Sequence, residues 1–422
     1  MMKEQSILNA YELAKEQYQS VDVQVEDTLA DLDKINLSVH CWQADDVSGF
    51  EQDAGALGGG LAVTGNYPGK ARNIQEMRTD LQKVYSLVPG RQRLSLHAIY
   101  GEFGNKKVDR DEISIDHFQG WADWSRQYGI DLDFNATLFS HARANEGFTL
   151  SSKNEGNRQF WIEHVRRCRE ISAWFGRQQG NTCVHNTWIP DGMKDTTIDR
   201  FGYRKLLMES LDEALRIKYP TSEMKDAVES KLFGIGSESF VVGSHEFYLG
   251  YAISRGILLC IDAGHFHPTE VVGDKISAVY QYVDEVLLHL TRGVRWDSDH
   301  VITMNDETVL IAQELRRMDA FGKTSIGLDF FDASINRIGA YVSGIRSAQK
   351  SILYALLEPT DTLRKYEENG QWFERLALLE EMKTKPFGAV WDFYCLQHDV
   401  PVAQDYIAAV GEYEKKELSN RI

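Results

Sequence analysis

Leu258-Leu259-Cys260-Ile261-Asp262-Ala263 is a short run that stays apolar up to the carboxylate of Asp262. An amphipathic stretch follows at residues 275–288, and a second run, Val286-Leu287-Leu288-His289-Leu290-Thr291, comes next. Buried strand, crossover helix, buried strand is the unit of a parallel sheet. Outward from this unit, runs at 35–42, 93–100, 131–135, 183–189, 227–233 and 324–331 complete a set of eight, with helical patterns at 116–128, 157–179 and 307–320 between them. Eight strands alternating with helices from residue 34 to residue 357 predict an α/β fold, a (β/α)8 TIM barrel. A doubly wound sheet would show a glycine-rich turn after its first strand, and none follows Trp42 directly. Gly58-Gly59-Gly60 through Gly69-Lys70 fails the phosphate-loop template, because Thr64 stands where the first glycine belongs and Ala71 replaces Ser or Thr. This segment reads as a loop above the barrel mouth or a flap between subunits.

At 422 residues the chain has room for about three ordinary domains or one large barrel. A hydrophobic fraction of 43% and a charged fraction of 26% supply a large core and leave no case for disorder. The expected organisation is a barrel domain at 1–358, opened by an N-terminal helix, and a helical extension at 359–422. Beyond Pro359 the strand signal stops, and residues 366–414 read as helical with Trp372, Phe373, Trp391, Phe393 and Tyr394. Those aromatics need cover, from a neighbouring subunit or from the chain's own barrel. A net charge of -17 opposes nucleic-acid binding and binding to an anionic membrane. Five cysteines with no C-x-x-C pair indicate neither a zinc ribbon nor a disulfide framework, and suit a reducing compartment. Residues 1–16 lack the apolar core of a signal peptide and no run is long enough to span a membrane, so a cytoplasmic location is expected.

Catalytic groups in such barrels project from the C-terminal ends of strands, one βα unit apart. Glu229, Asp262, Asp297 with Asp299, and Asp329 recur at steps of 33, 35 and 32 residues. Carboxylates set among residues such as Ile261 and Leu328 are costly to bury unless paired or bound to a cation. A lone Asp at a strand end is ordinarily a turn or cap, and His289 taken alone reads as a barrel-interior histidine. Together they converge on two overlapping sets. Asp262, His265, Asp297 and Asp299 make one, and Glu229, Asp262, His289 and Asp329 make another, bridged by Asp262. Oxygen donors with one imidazole suit Mn²⁺ or Mg²⁺, with Co²⁺ or Zn²⁺ as alternatives, and two ions per subunit. Lys231, two residues past Glu229 and expected on the same strand face, would donate to a substrate oxygen or pair with Glu229. His97 and Trp188 are candidate substrate contacts or core residues.

His40-Cys41-Trp42-Gln43 with Asp45-Asp46, Thr64 to Ala71, Leu96-His97-Ala98-Ile99-Tyr100, Leu132-Asp133-Phe134-Asn135, Val228 to Gly234, Gly264-His265-Phe266-His267-Pro268-Thr269-Glu270, Trp296-Asp297-Ser298-Asp299-His300 and Gly327 through Asn336 carry a resemblance over nearly the whole chain. The chain resembles the bacterial L-rhamnose isomerase family. The resemblance implies a xylose-isomerase-like barrel, a divalent-metal aldose-ketose isomerase converting L-rhamnose to L-rhamnulose, Mn²⁺ as the usual cofactor, and a homotetramer. It implies that His265, Asp297 and Asp299 hold a catalytic ion and that Glu229, Asp262, His289 and Asp329 hold a structural one. His97, Trp188, Lys231 and His267 are the expected sugar contacts, with Lys231, Asp299 and Asp329 as catalytic residues. One departure, in Val184-His185-Asn186-Thr187-Trp188, is the lack of a more apolar residue near His185, which touches no expected ligand.

Isomerising an aldose moves a hydrogen from carbon 2 to carbon 1 and a proton between their oxygens. No isolated Glu or His presents itself as a base for carbon, so a 1,2-hydride shift is expected over an enediol route. Two rival readings are a metal-dependent hydrolase of phosphate esters and a catalytically silent sugar-binding protein. The first is opposed by the acidic charge, the second by the presence of every ligand.

Overall fold

The computed structural model describes residues 4–51, 63, 65–104, 106–232, 238–294 and 296–421, with the backbone alone at 296–298. Two helices, α1 (Glu4–Gln19) and α2 (Val25–Leu32), lead into eight βα units. These are β1 (Leu37–His40) with α3 (Ile74–Tyr85), β2 (Gln92–His97) with α4 (Gln119–Tyr128), β3 (Asp131–Asn135) with α5 (Glu155–Gln179), and β4 (Cys183–Trp188) with α6 (Arg200–Ala214). They continue with β5 (Met224–Glu229) and α7 (His245–Arg255), β6 (Leu258–Asp262) and α8 (Val272–Val279), β7 (Val286–Leu290) and α9 (Asp306–Arg317), and β8 (Thr324–Leu328) and α10 (Arg337–Leu356). Each strand pairs in parallel with its neighbours in chain order, and β8 closes the barrel on β1 with Ile326 opposite Leu37. The expected TIM barrel is the observed fold.

Strand periodicity sorts the side chains. In β3, Phe134 points outward to Phe118 and Phe175, with ring centroids 5.0 and 5.8 Å away, while Asp133 and Asn135 face the interior with the alternate residues. In β6 and β7 the outer residues Leu259, Ile261, Val286, Leu288 and Leu290 join the main core. Cys260 and Leu287, which alternate with them, form a separate small apolar cluster with Val184, Ala227 and Leu258. Asp262 and His289 are the next inward positions above that floor, paired across the β6–β7 ladder. Asn73, Asn154, Asn305 and Asn336 cap α3, α5, α9 and α10 by accepting a backbone N–H.

Several boundaries shift from the sequence reading by a few residues, and two of the shifts bear on the site. The helix expected at 275–288 stops at Val279, because Val286 to Leu288 are drawn into ladders with both β6 and β8. The strand expected at 227–233 runs from Met224 to Glu229, where its pairing with Trp188 ends. Lys231 therefore lies beyond the ladder and not on the strand face. Past β7, Arg292–Val294 and Trp296–His300 form an antiparallel ribbon over the barrel mouth.

After α10 come α11 (Thr360–Glu368), α12 (Trp372–Met382), α13 (Phe387–Gln397) and α14 (Asp405–Lys416). The Phe393 ring stacks on Tyr11 of α1 at 3.6 Å, and Tyr394 donates to Asp33 at 2.8 Å. Trp391 is buried, whereas Trp372 and Phe373 are 57% and 76% exposed. Among the described residues no helix is long and apolar enough to cross a membrane. Of the loop expected to cover the mouth, residues 58–62 and 64 lie outside the described residues. Its far end is anchored: Tyr67 N–H donates to the Ala333 carbonyl at 2.7 Å, and Arg337 donates to the Tyr67 carbonyl at 2.6 Å.

Candidate metal centre

Barrel closure brings the strand ends together. Glu229 ends β5, Asp262 ends β6, His289 is the penultimate residue of β7, and Asp329 follows β8. One donor atom from each lies within 4.8 Å of every other, and all four residues are buried. His289 Nδ1 stands 3.5 Å from Glu229, 3.5 Å from Asp262 and 3.3 Å from Asp329. These are ion-pair distances and not good hydrogen bonds. Asp262 Oδ2, His289 Nδ1 and Asp329 Oδ1 are buried without a hydrogen-bond partner. Orphaned donors on three residues of one cup fit a divalent cation, since uncompensated buried carboxylates are otherwise strongly unfavourable.

The electrostatics point the same way. Burial raises the Asp329 carboxyl to about 6 even against the pull of His289, as expected of a carboxylate short of positive charge. Burial alone would lower His289, but Cys260, Glu229, Asp262 and Asp329 around it hold it well above the ordinary histidine value. Glu229, raised by burial, is brought well below the usual carboxylate range by His289 and His265.

His265 sits beside this set. Its Nδ1 donates to the Ser230 carbonyl at 2.8 Å and stands 3.1 Å from Glu229, which fixes the tautomer with the proton on Nδ1, and its Nε2 lies 3.9 Å from Asp262. Asp299 is buried at φ 42, a left-handed conformation rare outside glycine, and its carbonyl accepts from the Phe331 N–H at 3.1 Å. Asp297 belongs to the same strand of the ribbon, but its side chain lies outside the described residues.

A cavity opens above the cup. Trp42, Phe139 and Trp188 give it apolar walls, while His97, Lys231, His265 and Asp299 give it polar ones. Lys231 Nζ stands 4.5 Å from the centre of the Trp188 ring. The His97 ring stacks on Trp42 at 4.1 Å. His267 is not brought to this cavity. Its ring is exposed and bonded to Thr269 at 2.7 Å, because the turn closed by His265 N–H on the Asp262 carbonyl sends it outward.

Sequence reasoning missed several participants. His40, at the end of β1, contacts His97 Nε2 through its Nδ1 at 3.0 Å and lies 3.6 Å from Asp329. Asn186 donates to Glu229 at 2.5 Å and fixes that carboxylate from β4. Asn135 and Phe139 also line the cavity. The available signal was positional, since His40 and Asn135 end their strands and Asn186 lies two residues before the end of β4.

A closed (β/α)8 barrel with a buried carboxylate-histidine cup and an aromatic-walled cavity at its C-terminal mouth defines a class of barrel enzymes acting on small polar substrates. The L-rhamnose isomerase (RhaA) family matches residues 5–421. An L-rhamnose isomerase of Rhodopirellula baltica is 57% identical over 416 residues, covering 99% of this chain and 97% of that protein. Those of Bacteroides thetaiotaomicron and Escherichia coli (strain SMS-3-5 / SECEC) are 52% and 54% identical, covering 100% and 98% of both chains. The chain belongs to the L-rhamnose isomerase family, enzymes that interconvert L-rhamnose and L-rhamnulose.

Proposed function

We infer that the chain converts L-rhamnose to L-rhamnulose with two divalent cations per subunit, by a 1,2-hydride shift. The carrying observation is the cup of Glu229, Asp262, His289 and Asp329 with its three orphaned donor atoms. These four residues would hold one ion, and His265, Asp297 and Asp299 the other, with Asp262 serving both. Mn²⁺ suits the mixed oxygen and imidazole donors, and Mg²⁺, Co²⁺ or Zn²⁺ are the alternatives. When bound, such cations supply Lewis acidity to the sugar's first two oxygens and stabilise negative charge that develops there.

The chain's own residues do the rest. Trp42, Phe139 and Trp188 cover the apolar faces of the sugar and exclude water. Lys231 donates to the carbonyl oxygen of the open-chain aldose. Asp299 and Asp329 take and return the hydroxyl proton. The cavity carboxylates Glu229, Asp299 and Asp329 all belong to the ligand sets. Burial, with His289 nearby, lowers His97 to about 3, too weak a base to remove a proton from carbon. Both points favour the hydride shift. His267 does not line the cavity and drops out of the sugar-binding set. The subunit assembly proposed is a homotetramer with the 359–422 extension at a contact, in the cytoplasm, where five free buried cysteines are at home.

L-Rhamnose deuterated at carbon 2 tests the mechanism. The label should be retained at carbon 1 of the ketose in ordinary water, and its loss to solvent would establish the enediol route instead.

A further inference from the structure

Cys260 stands one inward position below Asp262 on β6, at the seam between two environments. Beneath it lies the apolar floor of Val184, Ala227, Leu258 and Leu287. Above it, its Sγ, one donor atom of Glu229 and one of His289 all lie within 4.8 Å of one another. All three residues are buried, and His289 Nδ1 has no hydrogen-bond partner. A thiol tolerates the apolar floor, yet as thiolate it is the softest donor in the barrel interior.

We propose that Glu229, Cys260 and His289 form an alternative binding site for a strongly thiophilic cation, Cd²⁺, one layer deeper than the oxygen-rich cup. Binding breaks the Cys260 Sγ–H bond. The proton leaves to solvent as the sulfur–metal bond forms, with no change of oxidation state. Oxygen-preferring Mn²⁺ has no use for the sulfur and stays in the upper set, so this position sorts cations by softness and gives thiophilic ions a route to inhibition. Because Glu229 and His289 belong to both sites, occupancy is mutually exclusive. The inference rests on the cation-binding reading for those two shared ligands alone.

The test is a Cd²⁺ titration of metal-stripped, full-length protein, followed by thiolate-to-cadmium charge-transfer absorption, with Mn²⁺ binding measured in parallel. One equivalent of Cd²⁺ should raise the band, and excess Mn²⁺ should remove it. Cys260→Ala should abolish it and weaken Cd²⁺ binding by about tenfold or more, while Mn²⁺ affinity changes by less than about threefold. A missing band in the unsubstituted protein, a band surviving in Cys260→Ala, or one that persists when Mn²⁺ is measured as bound overturns the proposal. Should the variant not fold, cadmium NMR of the unsubstituted protein decides: a thiolate-type shift lost on adding Mn²⁺ supports the site, and a shift typical of oxygen and nitrogen donors alone overturns it. Mn²⁺ binding itself reports only on the reading above, so the two fail separately.

Discussion

The His289 ring lies against the bare backbone of Gly327 on the neighbouring strand, where a Cβ would fall 2.7 Å from its Cδ2 and 3.0 Å from its Nε2. Glycine here makes room for the imidazole proposed as a ligand. Gly327→Ala should push the ring off its position, weaken cation binding by about 10- to 100-fold and cost about 1–3 kcal/mol from overpacking. Isothermal titration with Mn²⁺ and urea unfolding would measure both. Unchanged cation affinity would show that His289 is not a ligand.

Single substitutions should separate the two ion positions. His265→Ala or Asp297→Asn should lose one ion and most turnover while sugar still binds, because stabilisation of the transition state is lost more than ground-state contact. Glu229→Gln should weaken both sugar binding and turnover. Asp262→Asn should be worst, lowering the rate by about a thousandfold. Native mass spectrometry beside kinetics checks this, and two ions with a near-normal rate in Asp262→Asn would remove its bridging role.

Much of this site was legible because closure places strand ends at one mouth, so a carboxylate recurring once per βα unit has to converge. Lys231 was put on a strand face because apolar Leu232 and Phe233 extend the expected strand past it, whereas pairing stops at Glu229. His267 came in with the family segment Gly264 to Glu270, and a turn no composition reveals points it away. His40 was quoted only within a family segment. Its contact with Asp329 spans the seam where β1 meets β8, a relationship that no local pattern encodes.

Away from the site, Arg169 of α5 clamps Asp226 of β5 through two hydrogen bonds of 2.8 and 3.0 Å. Burial raises this carboxyl, but His185 and Arg169 outweigh it and hold it at about 2, below the unfolded value of about 3.9. The stabilisation is therefore present above about pH 4 and is lost as pH falls through about 2. Asp226→Asn should cost about 3 kcal/mol at neutral pH, by stranding a buried guanidinium, and should flatten the acid limb of the stability profile. Urea unfolding across pH is the measurement.

Arg337 grips Asp46 with bonds of 2.7 and 2.8 Å while also donating to the Tyr67 carbonyl, which sets residues 65–68 beside the mouth. Lysine keeps the charge but cannot make this fork. Arg337→Lys should raise KM for L-rhamnose by about tenfold and leave kcat within about twofold, a loss of ground-state binding with the chemistry intact. Steady-state kinetics would show it, and an unchanged KM would separate this anchor from sugar binding.

The most direct test is ketose formation from L-rhamnose by chelator-stripped protein, assayed before and after adding Mn²⁺. The cup of Glu229, Asp262, His289 and Asp329 predicts no turnover without the cation, recovery on its addition, and a thermal midpoint that rises in step, because an ion bound only by the native state stabilises it. Undiminished turnover by metal-free protein would contradict the account.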